Sequence, residues 1–72
     1  MPTWKELRRY LDRSGWILYR QTDHYHYMKE LENGDVLKTK VSKGGGEIRY
    51  ELWQYIMKHQ LHITQEEFNR MK

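Results

Sequence analysis

The spacing of apolar residues changes along the chain, and each change marks an element. Trp4, Leu7 and Leu11 recur at helical spacing with Tyr10 beside them. Thr3-Trp4-Lys5-Glu6 before them has the form of a capping box, in which the hydroxyl takes an orphan N–H and the carboxylate reaches back. Ser14-Gly15 closes the segment, with Gly15 free to take the left-handed cap. A helix is therefore predicted over 4–14. Trp16 to Gln21 is aromatic and β-branched and too short for a second helix, so it reads as a strand. Thr22-Asp23 can turn the chain. His24 to Lys29 then alternates, with His24, His26 and Met28 on one face and Tyr25, Tyr27 and Lys29 on the other. Asn33-Gly34 predicts a hairpin through a type I′ turn, which needs positive φ at both residues. Val36 to Val41 is the third strand, with Leu37, Thr39 and Val41 on one face and Val36, Lys38 and Lys40 on the other.

Gly44-Gly45-Gly46 is a flexible connection. A second helix is expected from Glu47 or Ile48, its apolar stripe made by Ile48, Leu52, Trp53 and Ile56. Thr64-Gln65-Glu66-Glu67 forms another capping box and opens a short last helix with Phe68 and Met71 inside it. The order is α-β-β-β-α plus a terminal α. It predicts an α+β fold, a three-stranded antiparallel sheet with helices on one face. Tyr25 and Tyr27 fit the helix-covered face, and Trp4, Trp16 and Trp53 are the natural core anchors.

Length and composition narrow the class. Seventy-two residues form one domain, and a fold of this size buries only about 60% of its unfolded surface. Three Trp, six Tyr and one Phe let so short a chain build a core, which argues against disorder. No run approaches the ~20 apolar residues of a membrane span. Without Cys there is no disulfide scaffold, thiol nucleophile or Cys-ligated zinc. That absence and a polar start, Met1-Pro2-Thr3-Trp4-Lys5-Glu6, lead us to expect a cytoplasmic protein. The net charge of +3 is compatible with nucleic acid without requiring it.

Candidate chemistry concentrates in Asp23-His24-Tyr25-His26-Tyr27. Two imidazoles at i and i+2 share a strand face about 6.5–7 Å apart, a distance that admits a phosphate between them. Histidine is the side chain suited to proton transfer near neutral pH. RNA cleavage without a metal needs a base for the 2′-hydroxyl, an acid for the leaving 5′-oxygen and cations for the phosphorane charge. His24 and His26 supply the first two, and Arg20, Lys29, Lys38, Lys40 and Lys43 are candidate phosphate contacts. The bland alternative is a solvated polar sheet face. A His-x-His metal pair is a further alternative, but no third ligand follows at a recognisable spacing, and no metal or other cofactor is expected. The glycine run could cradle a phosphate but lacks the Lys-Ser/Thr ending of a P-loop, so a plain connector is the simpler reading.

Taken in order, the motifs resemble the HicA family of toxins, which cleave mRNA. Leu7-Arg8-Arg9-Tyr10-Leu11 with Ser14-Gly15-Trp16 looks like that family's opening helix and the Gly-aromatic start of its first strand. Arg20-Gln21 looks like its Arg-Gln, and His24-Tyr25-His26-Tyr27 like its strand-two His followed three residues on by an aromatic. Asn33-Gly34, Glu47-Ile48 and Ile56-Met57-Lys58 fall where the family has Asp-Gly, Glu-Ile and Ile-Leu-Lys. Ile63-Thr64-Gln65-Glu66-Glu67-Phe68 resembles its closing motif. The resemblance implies a fold like the double-stranded RNA-binding domain and a metal-independent endoribonuclease with one catalytic His on strand two. The His-x-x-aromatic spacing places that residue at His24, and we expect His24 as principal acid–base with His26 assisting. It also implies a HicB-family antitoxin as partner. Thr22-Asp23, Lys40 and Ser42 depart from the family's Gly-rich pair, Pro and His at those places. A non-catalytic RNA-binding module and a protein-interaction domain are the rival readings.

Overall fold

The computed structural model describes residues 2–71, which run in the order helix, three strands, helix, helix. Helix α1 spans Trp4–Arg13. Its N-terminus is the predicted capping box: Glu6 N–H donates to the Thr3 hydroxyl at 3.1 Å, and Thr3 N–H donates to the Glu6 carboxylate at 3.0 Å. Its C-terminus is a Schellman turn. Gly15 takes φ +87°, and Trp16 N–H reaches back to the Leu11 carbonyl at 3.1 Å. Leu7, Tyr10 and Leu11 are the buried stripe of this helix.

Strands β1 (Ile17–Gln21), β2 (His24–Glu30) and β3 (Val36–Ser42) form an antiparallel sheet in the order β1-β2-β3. Alternation decides its faces. Tyr27, Thr39 and Val41 are buried under the helices, with Leu18, Tyr25 and Leu37 packed beside them. His24, His26, Val36, Lys38 and Lys40 point the other way. The β2–β3 connection differs from the type I′ turn expected. Only Gly34 has positive φ, at +94°, and Gly34 N–H donates to the Leu31 carbonyl at 2.9 Å. Leu31 N–H also donates to the Asp35 carbonyl at 2.8 Å, so Glu32-Asn33-Gly34 closes as a three-residue loop, a type I turn followed by a left-handed glycine. The Asn33 side chain accepts from Asp35 N–H at 3.0 Å, so Asn33 shapes the turn through its amide rather than through φ.

The second helix starts later than its apolar stripe suggested. Helix α2 spans Tyr50–Tyr55. Glu47 and Ile48 instead pair with the N-terminal segment: Thr3 bridges Glu47, and Ile48 N–H donates to the Pro2 carbonyl at 2.9 Å. Ile48 is still in the core, but Leu52 is 37% exposed, so the stripe is carried by Trp53 and Ile56. Beyond Tyr55 the backbone widens into a π-helical segment, Ile56–Leu61, ending on His62 with left-handed φ of 56°. The wider winding buries Ile56, Met57 and Leu61 and brings Gln60 to accept from the buried Thr39 hydroxyl at 2.6 Å. Helix α3 spans Gln65–Met71. The Thr64 hydroxyl accepts from Glu67 N–H at 3.2 Å, one half of the capping box expected there. Phe68 packs between Tyr10 and Trp53, with ring centroids 5.3 and 4.7 Å away. Trp53 Nε1 also donates to Gln65 at 2.7 Å. Phe68 and Met71 both fall within α3 as expected, Phe68 buried and Met71 42% exposed. Trp16 and Trp53 are buried as expected, while Trp4 is only half-buried.

Candidate functional site

The uncovered sheet face assembles the site. His24 and His26, two apart on β2, hold their rings 6.5 Å between centroids at an interplanar angle of 65°. In the antiparallel register Lys40 on β3 and Arg20 on β1 both stand opposite His26. Ser42 stands opposite His24, and Lys38 opposite Met28. The cations therefore come from the two outer strands and the imidazoles from the central one.

A bulge in β1 completes this arrangement. The β1–β2 register slips between Leu18 and Arg20, so Tyr19 is the extra residue. Its ring sits 6.1 Å from that of His26, and Lys38 Nζ lies 5.8 Å from the Tyr19 ring centroid. Without the slip Tyr19 and Arg20 would point to opposite faces. With it, both serve the open one. At the β1–β2 turn, Thr22 N–H donates to the His24 carbonyl at 3.0 Å, and the Thr22 hydroxyl bonds His26 Nε2 at 3.1 Å. That bond fixes the ring orientation, with the donor set by the imidazole tautomer.

The surroundings lower the pKa of His26 below its ordinary 6.5. Partial burial contributes most, followed by the charges of Arg20, His24 and Lys40. Asp23 is not among the groups that set this shift. Burial and the neighbouring positive charges both disfavour the imidazolium. At neutral pH His26 is mostly unprotonated and able to accept a proton.

His24, Lys40 and Ser42 also line a cleft of about 230 Å3 with Trp4, Leu52, Ile56 and Gln60. This cleft lies where the end of β3 meets α2 and the π-helical segment. Among the described residues no three His, Asp or Glu side chains converge as a metal site.

The other two candidate cations lie elsewhere. Lys29 stands on the helix-covered face, beside Leu31, Leu37, Leu61 and Glu67. Lys43 follows β3 and turns toward Tyr25, its Nζ 5.2 Å from that ring centroid. Neither joins the two imidazoles. Tyr19 and Thr22 were missed in the sequence because each acts through His26, which only the strand pairing and the closed turn bring beside them.

Compared with known proteins, the chain matches no family model, and no curated protein or solved structure is significantly similar to it.

Proposed function

We propose that the chain is a metal-independent endoribonuclease of the HicA type, the toxin of a toxin–antitoxin pair, which cleaves mRNA and so inhibits translation. The observation that carries this reading is the pair of imidazoles 6.5 Å apart on an open face, flanked in register by Arg20 and Lys40. In-line cleavage of RNA needs a base and an acid on either side of one phosphate. His26, with its lowered pKa, takes the proton of the 2′-hydroxyl. The freed 2′-oxygen attacks the adjacent phosphorus and the bond to the 5′-oxygen breaks. His24 delivers a proton to that 5′-oxygen, leaving a 2′,3′-cyclic phosphate and a 5′-hydroxyl. Arg20 and Lys40 offset the charge that builds on the phosphorane oxygens. Tyr19 offers a ring on which a neighbouring base stacks.

The element order agrees with the fold like the double-stranded RNA-binding domain that the resemblance implies. Exposed Ile17, Tyr19 and Val36 give the same face an apolar border. That mixture suits a protein partner of the HicB-antitoxin kind, which would cover the imidazoles. No helix among the described residues is long and apolar enough to cross a membrane, and the mRNA substrate would place the chain in the cytoplasm.

The test is cleavage of labelled single-stranded RNA in EDTA by the parent, His24→Ala, His26→Ala and the double variant. Cleavage by the parent that each single substitution reduces at least 100-fold supports the paired acid–base reading. Equal cleavage by parent and double variant removes the chemistry from this face. RNA bound but left intact by the parent favours the non-catalytic module instead.

A further inference from the structure

A second groove, of about 180 Å3, lies on the helix side of the sheet, where Trp4, Lys5, Arg8, Tyr25, Lys43 and Gly44 line it. The Arg8 guanidinium stacks 3.8 Å from the Tyr25 ring centroid, and Lys43 Nζ lies 5.2 Å from the same ring. Lys5 and Lys43 are exposed, and no described carboxylate lines the groove. Three cations around an aromatic ring form a surface for a polyanion whose bases can stack. The groove does not stand alone: Trp4 and Ser42 line both it and the cleft that holds His24 and Lys40. The two depressions therefore adjoin across one shared wall at the end of β3.

We propose that this groove binds the stretch of single-stranded RNA next to the phosphate that is cleaved. The strand leaves the imidazoles, crosses Ser42 beside the half-buried Trp4 indole, and lays its following phosphates on Lys5 and Lys43. This rests on the ribonuclease reading of the imidazole face and adds a second subsite to it. It also gives Lys43 a role in binding RNA although it stands away from the histidines.

The experiment compares labelled RNAs of about twelve and about four nucleotides, long enough to reach both depressions or only one. Binding of the longer RNA is followed by anisotropy and by Trp4 quenching on the non-cleaving His24→Ala/His26→Ala background. Cleavage of the shorter RNA is followed with both histidines present. For Lys5→Ala/Lys43→Ala we expect the longer RNA to bind about tenfold more weakly near 0.1 M salt. Its salt slope should fall by about 1.4, for two lost phosphate contacts on a single strand. Cleavage of the shorter RNA should not change. Glutamine at both positions keeps the side-chain length and substitutes for alanine if a thermal melt shows lost structure. Binding that depends on Lys40 but ignores Lys5 and Lys43 overturns the groove alone, as does equal weakening of both RNAs. A parent that neither binds nor cleaves either RNA overturns the groove and the ribonuclease reading together.

Discussion

Tyr27→Phe isolates one polar bridge that ties α1 to the sheet. The Tyr27 ring is fully buried, and phenylalanine keeps that packing. What is lost is the hydroxyl, which accepts from Arg8 Nε at 3.0 Å and donates to Asp12 at 2.9 Å. Both partners carry charge, and a hydrogen bond to a charged group contributes about 1.5–3 kcal/mol. Asp12 is exposed and Arg8 half-buried, so water replaces part of each bond. That exposure brings each bond down to about 1 kcal/mol, the value of an ordinary hydrogen bond, and we expect a total loss of about 2 kcal/mol. A domain of this length has on the order of 4–11 kcal/mol of stability, so the effect is large. It corresponds to a melting point lower by about 8–16 °C. The assay is urea denaturation followed by tryptophan fluorescence, with parent and variant at equal slope. A double-mutant cycle with Asp12→Ala should return a coupling of at least about 0.5 kcal/mol. A denaturation midpoint within about 0.3 kcal/mol of the parent's would refute the reasoning, because the bridge would then only balance the desolvation of its own atoms.

His26 should titrate below 6.5 by NMR, and Arg20→Ala or Lys40→Ala should move it upward, since each removes a charge that disfavours the imidazolium. If His26 is the base, kcat/KM rises as the pH climbs through this lowered value, and the rise shifts to higher pH in Arg20→Ala; a rise that stays fixed would detach the activity from this ring. His62→Gly should stabilise the chain by up to about 1 kcal/mol, because the position has φ of 56° and only glycine takes it without strain; a lower melting temperature would contradict this. Phe68→Ala should cost about 3–5 kcal/mol and release α3, read as loss of helical circular dichroism together with cooperative unfolding; a variant that unfolds like the parent would show that Tyr10 and Trp53 do not depend on that ring.

The elements were legible where local chemistry and tertiary packing demand the same thing. Thr3 with Glu6, Gly15 after Ser14 and the alternation through β2 each specify a conformation within a few residues, and each stands as expected. The errors fall where a distant partner decides. Ile48 looks helical beside Leu52 and Trp53, yet Pro2 offers its N–H a carbonyl, and the helix waits until Tyr50. Asn33-Gly34 has the composition of a type I′ turn, but the Asn33 amide bonds Asp35 and leaves only Gly34 left-handed. The π-helical winding after Tyr55 serves the Thr39–Gln60 bond, which joins residues far apart in sequence.

The candidate site divides along the same line. Period two alone places His24 and His26 together and sends Lys29 to the opposite face. It cannot bring in Arg20, which joins Tyr19 on the open face only because β1 slips by one residue against β2. It also cannot show that the charges around His26 are net cationic, since Arg20 and Lys40 meet it through two different strand pairings. Asp23 is next to His24 in the sequence and suggests an acidic site; the pKa of His26 is lowered first by burial and then by the charges of Arg20, His24 and Lys40. The charges that act on His26 therefore include two that only the sheet pairing brings near it, Arg20 and Lys40. This is why exchanging Arg20 or Lys40 should alter His26 more than exchanging Asp23, a ranking that three NMR titrations would establish or reverse.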